Sequence, residues 1–565
     1  MLIACAHTPQ QVAVVPPQQH EDTLAPPVTE PQLNLPKLEL SGEMLYEFLL
    51  GDIASQRGNP DLAAQVYIDL ANETQDPRVA RRAAQLAFDA HQMDKSVAAL
   101  NLWLKLEPTS HQAKQLLTNV LVSGGRLEEA RPRLVEMLAA YPNQVGHTFT
   151  QIYSLLARYP DKLVAYNLLH ELAQPYPEVG EAHLVQAQAA AAAGKRELAL
   201  EEVRKARAKH PEWELAALLE AQLLEQESSP DALNSLKKFL VAYPDAGEVR
   251  LLYARMLLER KQYMEARSEF KQLLDIHPES ADLAFAVAML SLEMGELDRA
   301  ETELRQALAN GKKDEGTVYY YLGQLNEAKK LDEDALNNYR QVQQGEYVFN
   351  ARLRVAFLLY KGNKLDDARE YLHQTVALNN QLRVQLLSTE AQLLRDANQP
   401  ETAYQVLSQG LEKLPNHPDL LYETAMSAEQ LGKHAVFEQL MRKVIEIKPD
   451  QAQAYNALGY SLLDRNERVQ EGMLLVEKAN QLAPEDVGII DSVGWGHYRL
   501  GNLDKSLEFL RRAYNANPDP EIAAHLGEVL WVQGVREQAK KVWVDALKRH
   551  PDNQVLQSTM NKFIP

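Results

Sequence analysis

ADLAFAVAMLSLEMGELDRAETELRQAL, residues 281–308, is the stretch from which the fold can be read. Leu283, Val287 and Leu290 fall on one face of a helix, and Leu304 and Leu308 do so again beyond Gly295. That spacing fits two short amphipathic helices better than strands. Gly295 suits the left-handed conformation that ends a helix. Ala300, five residues further on, is small enough to let the two helices approach closely.

The same marks recur along the chain. The small position reads Ala63, Ser96, Ala130, Ala165, Ala199, Ala232, Ala266, Ala300, Ala335, Ala368, Ala403, Phe437, Gly472, Ser506 and Ala539, at steps of 33 to 35 residues. Only Phe437 is large. Five residues before it stand Gly58, Gly125, Gly194, Gly295, Gly432, Gly501 and Gly534, with Asn363 and Asn398 in two further units. Twelve residues after it comes a proline that cannot continue a helix: Pro108, Pro142, Pro177, Pro211, Pro244 and Pro278, then Pro415, Pro449, Pro484, Pro518 and Pro551. The gap from Pro278 to Pro415 is 137 residues, four more periods, so the frame is kept. Each unit is therefore helix, tight turn, helix, proline-marked turn, and the fold class is all-α.

Length agrees. A chain of 565 residues outgrows one globular core, which seldom passes about 250–300 residues, whereas a solenoid buries each unit only against its neighbours. The net charge of −19, with a pI near 5.4, argues against nucleic acid as the main partner. No run of 18 or more apolar residues occurs, so no helix of this sequence spans a bilayer. The one cysteine, Cys5, excludes disulfides within the chain and a multi-cysteine zinc site.

Three segments follow from composition: residues 1–5, 6–36 and 37–565. Seven prolines between His7 and Pro36, with several Gln and little apolar periodicity, make 6–36 an extended Pro/Gln-rich tether. Leu2-Ile3-Ala4-Cys5 ahead of it looks like a bacterial lipobox, in which a branched residue and small residues precede the acylated cysteine. Four residues are shorter than the basic and apolar parts of a signal peptide. Either a start upstream of Met1 supplies the rest, or the match is a chance cysteine in a tail. Lipidation of Cys5 is the expectation, because the only cysteine sits directly before a long tether. Ala6 after the cysteine, by resemblance to Gram-negative lipoproteins, implies export to the outer membrane.

A search for catalytic chemistry finds no Gly-Lys-Ser/Thr phosphate loop, no Gly-rich dinucleotide fingerprint, no His-Glu-x-x-His and no Gly-x-Ser-x-Gly elbow. The 15 His are scattered, as at His210, His277 and His550 before prolines, where solvated or capping roles fit. The repeats also leave no room for a separate enzyme domain. A non-catalytic protein is expected, without metal, cofactor or small-molecule substrate.

A binding surface remains. In stacked helix pairs the first helices line the concave side, where extended partners dock. The register places Phe285, Met289, Tyr320, Gln324, Phe357, Tyr360 and Arg395 there. Aromatic side chains with Arg are the usual anchors of an interface. Ordinary packing between neighbouring first helices is the rival reading for each.

The 34-residue pattern resembles the tetratricopeptide repeat, most closely in Tyr455-Asn456-Ala457-Leu458-Gly459-Tyr460 and Tyr319-Tyr320-Tyr321-Leu322-Gly323. The resemblance spans about residues 45–551. It implies a right-handed superhelical solenoid of about fifteen helix pairs. Phe437 and Gly472 depart from the small-Ala rule, and the units near residues 145–180 and 215–245 match poorly.

The carboxyl-terminal stretch is the most distinctive. It runs Asp491-Ser492-Val493-Gly494-Trp495-Gly496-His497-Tyr498 and, later, Ile522-Ala523-Ala524-His525-Leu526-Gly527-Glu528-Val529-Leu530-Trp531. With the lipobox and the length, it resembles proteobacterial tetratricopeptide lipoproteins of the outer membrane. Among them it is most similar to the lipoprotein binding partners of the carboxyl-terminal processing protease. That resemblance implies a lipid-anchored adaptor on the periplasmic face, touching the membrane through its lipid only. Such an adaptor binds and activates a periplasmic processing protease and presents peptidoglycan hydrolases to it. Trp495 and Trp531 are candidates for partner contact, or for locking the last repeats together. The rival functions are an assembly factor for another envelope machine, such as a pilus secretin or lipopolysaccharide regulation, and an enzyme hidden in a repeat scaffold.

Overall fold

A computed structural model of the chain describes residues 35–225 and 230–564. Residues 1–5 and most of the tether, Cys5 included, lie outside the described residues. Among those described there are 31 α-helices, one 3-10 turn at Pro142–Gln144 and no strand. They follow one another as helix–turn–helix pairs, fifteen in all, with Gln554–Phe563 closing the series. Two compact units divide them, one up to Glu269 and one from Phe270.

The pair containing 281–308 shows why the sequence folds this way. Ser280 caps the first helix, Ala281–Glu293, its hydroxyl accepting from the Leu283 amide at 3.3 Å. Ala284, Val287, Ala288 and Leu290 are buried on one face. Gly295, at φ +74°, reverses the chain, and Leu297–Ala309 buries Ala300, Leu304 and Ala307 against the first helix. The small position is buried in all fifteen pairs, the Phe437 and Gly472 variants included.

The expected turns hold. The seven glycines have φ between +70° and +93°, and Asn363 and Asn398 have +59° and +58°. His91, Lys261 and Lys330 occupy the same place with φ of +55°, +60° and +61°. The weak match near 145–180 has a cause: the turn after Val145–Leu156 runs over residues 157–161 instead of three residues. At the Gly472 unit, the turn 465–468 is one residue longer than its neighbour at 431–433. The extra length is absorbed by Asn466 and Arg468, both at positive φ.

The departures at 437 and 472 are opposite solutions to one packing problem. Phe437 fills its place and packs with Leu421, Ala425, Met441 and Ala454. Gly472 instead brings two backbones together, because a β-carbon there would lie 3.0 Å from the Gly459 carbonyl oxygen. Another relationship repeats at a separation of sixteen residues. A glycine of the first helix receives a large side chain of the second in Gly51–Tyr67, Gly323–Tyr339, Gly494–Leu510 and Gly527–Trp543.

The proline turns join successive pairs. The carbonyl of Pro278 accepts from Gln306 Nε2 at 3.1 Å, that of Pro415 from Lys443 Nζ at 2.6 Å, and that of Pro484 from Arg512 at 2.9 Å. Each donor lies 28 residues on, in the second helix of the following pair. These bonds satisfy carbonyls that a broken helix leaves open.

Candidate protein-binding surfaces

The first helices of four successive pairs carry the predicted residues. Ala281–Glu293 presents Phe285 and Met289, both half-buried. Glu315–Ala328 carries Tyr320 and Gln324, Val348–Lys361 carries Phe357 and Tyr360, and Asn380–Asp396 carries Arg395. Phe285 lies under the Lys312 ammonium at 4.9 Å and 6.1 Å from the Tyr321 ring. Gln324 is exposed, Tyr360 half-buried, and Phe357 is 38% exposed with the Arg354 guanidinium 4.8 Å above its ring. Arg395 is half-buried at the edge of a cleft.

Tyr320 is not an exposed anchor. Tyr347, from the segment before Val348–Lys361, stacks on it at 4.4 Å and 15°, and Tyr339 packs at 5.6 Å. Tyr321 meets the Tyr347 hydroxyl at 3.4 Å. The Tyr339 hydroxyl donates to Glu327 at 2.8 Å, and Arg354 Nε donates to the same carboxylate oxygen at 3.0 Å. Burial pushes the Tyr321 and Tyr339 phenols well up, so both stay neutral. A continuous aromatic network thus runs from Phe285 to Tyr339, and the Glu327–Arg354 pair extends it to Phe357. Tyr321, Tyr339, Tyr347, Glu327 and Arg354 were not marked by the sequence register. Only Tyr339 carried a signal, its separation of sixteen from Gly323.

Trp495 is also interior, at 4% exposure. It stacks on His525 at 4.2 Å and 25°, beside Tyr498 at 4.9 Å. His525 Nδ1 donates to Asp491 Oδ2 at 2.8 Å, and its Nε2 lies 3.3 Å from the Tyr460 hydroxyl. Burial works to lower the His525 pKa, but the Asp491 carboxylate outweighs it and the net shift is upward. The contact ties three first helices together: Ala452–Asp464, Val487–Arg499 and Pro520–Val532. Trp531 is half-buried, with Trp543 at 5.8 Å, Phe563 at 6.1 Å and the Arg536 guanidinium at 5.2 Å. Both tryptophans lock the last repeats.

The first unit carries an apolar face that the register did not mark. In Gly42–Gln56, Leu45, Leu49 and Ile53 recur at helical spacing and are about half exposed, at 47%, 54% and 46%. Exposed apolar rows of this kind are candidates for contact with another protein or with lipid. Among the described residues no helix is long and apolar enough to cross a membrane.

Stacked helix pairs with exposed apolar and aromatic side chains on their first helices define a helical-repeat interaction scaffold. Two family models, both described as tetratricopeptide repeat, match the chain, one at residues 257–325 and the other at 222–281 and 388–452. A TPR repeat-containing protein of Pseudomonas aeruginosa is 40% identical over 495 residues, 86% of this chain and 82% of that protein. The chain belongs to this family of tetratricopeptide-repeat proteins, whose repeats generally mediate protein–protein interaction. Among solved structures, MamA 41-end from Desulfovibrio magneticus RS-1 is 21% identical, covering 30% of this chain and 97% of that one, with a TM-score of 0.27. The APC/C hetero-tetramer Cut9–Hcn1 is matched at 14% identity over 92% of this chain and 96% of that one, with a TM-score of 0.33.

Proposed function

We propose that this protein is a lipid-anchored periplasmic adaptor of the outer membrane. It binds and activates a carboxyl-terminal processing protease and presents peptidoglycan hydrolases to it for degradation. The observation that carries the reading is the exposed row Leu45, Leu49 and Ile53 on the first helix, remote in sequence from the aromatic stretch of the second unit. An adaptor needs two protein-binding surfaces, and the exposed row of the first unit and the aromatic stretch of the second are the candidates. Holding protease and substrate on one scaffold raises the effective concentration of substrate at the protease. The protease and hydrolase partners, and acylation at Cys5, are supported by the resemblance of the carboxyl-terminal stretch and by the lipobox-like Leu2-Ile3-Ala4-Cys5.

Affinity purification of the full-length protein from cell envelopes tests the partners. Recovery of a processing protease together with a wall hydrolase is expected, and recovery of neither sinks the reading. Recovery of a secretin or of lipopolysaccharide regulators instead would favour an assembly factor. For the anchor, Cys5→Ser is expected to release the protein from the membrane fraction, and unchanged fractionation refutes lipidation.

A further inference from the structure

Between Asn380–Asp396 and Pro418–Gln430 lies an open cleft of about 490 Å³, lined by Arg395, Tyr422, Glu423, Met426, Ser427 and Glu429. Tyr422 and the exposed Met426 supply apolar walls. Two side-chain oxygens of these lining residues have no hydrogen-bond partner and are shielded from solvent, the Ser427 hydroxyl and Oε2 of Glu423. Ser427 is only 2% exposed. The other charged groups are engaged. Glu429 accepts from the Ser461 hydroxyl and meets His434 Nδ1 at 2.9 Å, and Arg395 donates to Gln392 Oε1 at 2.7 Å. Among the described residues no cation pairs with Glu423.

We propose that this cleft is a subsite for a lysine or arginine side chain of an extended partner segment, an inference that rests on the protein-binding reading above. Glu423 is half-buried with one carboxylate oxygen unpartnered, and a hydrogen-bond donor that reaches it relieves the cost of leaving it so. The ligand that satisfies it must donate hydrogen bonds, carry positive charge and cover the apolar walls. A lysine or arginine side chain does all three. Its aliphatic stem lies along Tyr422 and Met426 while its head reaches Glu423. The terminal torsion of a glutamate is soft, so the carboxylate turns toward an entering cation at little cost. Arg395, at the edge, is placed to take a main-chain carbonyl of the segment.

An anionic ligand at Arg395 is opposed by two carboxylates in the same cleft, Glu423 and Glu429. The net charge of −19 also steers basic segments toward the chain.

The test uses the full-length protein, Glu423→Gln and Met426→Lys. The probes are short acetylated and amidated peptides, dye-labelled and identical except for a central Lys, Arg, Ala or Glu. Met426→Lys changes an exposed position, leaves the core alone and places a tethered ammonium at the cleft. Fluorescence anisotropy is expected to show the Lys and Arg peptides binding about tenfold more tightly than the Ala peptide, with the Glu peptide weakest. Both variants should bring the Lys peptide within about twofold of the Ala peptide measured on the same variant. Equal binding of all four peptides, preference for Glu, or no binding up to about 1 mM overturns the proposal. If both variants recover the same envelope partners as the wild type, in the same amount, the subsite fails and the adaptor reading stands. If Lys peptides bind as expected but no envelope partner is recovered, the adaptor reading fails and the subsite stands.

Discussion

The indole of Trp543, its Nε1 edge foremost, occupies the space that a β-carbon on Gly527 would need. Trp543 is fully buried, and its Nε1 donates to the Ala524 carbonyl at 3.4 Å. The glycine and the tryptophan are therefore one packing device, and neither can change alone without loss.

Gly527→Ala is expected to destabilise the carboxyl-terminal repeats by about 1–3 kcal/mol, the usual cost of overpacking. Trp543→Ala, which empties the same site, should cost about 3–5 kcal/mol. Urea unfolding followed by tryptophan fluorescence would check both. Wild-type stability in Gly527→Ala would mean that the ring has room to move.

A second prediction concerns pH. The His525 pKa is raised in the folded state, so its pairing with Asp491 contributes stability that is complete below the unfolded value of about 6.5. That contribution is lost as pH rises through the raised folded value. His525→Asn should therefore cost most at pH about 6, on the order of 3 kcal/mol, and less at pH about 9. Urea melts of both proteins across that range would show the gap narrowing. A constant gap would assign the loss to packing against Trp495 alone.

The long turn makes a third. Arg468 sits at φ +42° and is held by Glu438 of the preceding pair, Nη1 donating to Oε1 at 2.8 Å, with Glu471 also close. The Arg468 hydrogen bond, helped by Arg442, holds the Glu438 carboxyl down to about 2. A depressed value gives stability that is present above pH about 4.5 and lost as pH falls through about 2. The group is near solvent, so Glu438→Gln should cost only about 0.5–1 kcal/mol at neutral pH and progressively less below pH about 4. Arg468→Gly should be milder than Arg468→Ala by about 1 kcal/mol, because glycine accepts the positive φ. Thermal melts of the three variants would rank them.

A fourth separates binding from folding within the aromatic stretch. Phe357→Ala removes a ring that is 38% exposed and is expected to cost about 1–2 kcal/mol while reducing recovery of envelope partners. Tyr320→Ala removes a buried ring stacked on Tyr347 and should cost about 3 kcal/mol. Undiminished partner recovery with Phe357→Ala would take that residue out of the interface.

The register of the fold was legible because its punctuation is chemical. Alanine at position 300, glycine at 295 and proline at 278 each permit one local geometry that most residues resist. Lys261 and Lys330 were not legible as turn residues, because the short link between two packed helices imposes the left-handed conformation on whatever stands there. The candidate surface was harder to read. Tyr320 and Phe357 are both aromatic residues at inward positions of first helices, yet one is interior and the other exposed. The difference is made by Tyr347, which lies between helices in the stretch without a proline and belongs to no periodic pattern. The two readings of Trp495, partner contact and locking of the last repeats, could not be separated in the sequence for a related reason. Its partner His525 lies 30 residues away, and only the stacking of alternate helices brings the two rings together.

The four-residue turn at 465–468 says something about how such a chain tolerates changes of length. An α-helix turns by about 100° per residue, so one residue added within a helix would swing every later side chain off its face. Placed in the turn, the same residue alters neither helix's phase, and the buried row from Gly472 to Ala479 still meets the row that ends at Leu463. Turns are thus the places where this protein can gain or lose a residue without its neighbours registering it.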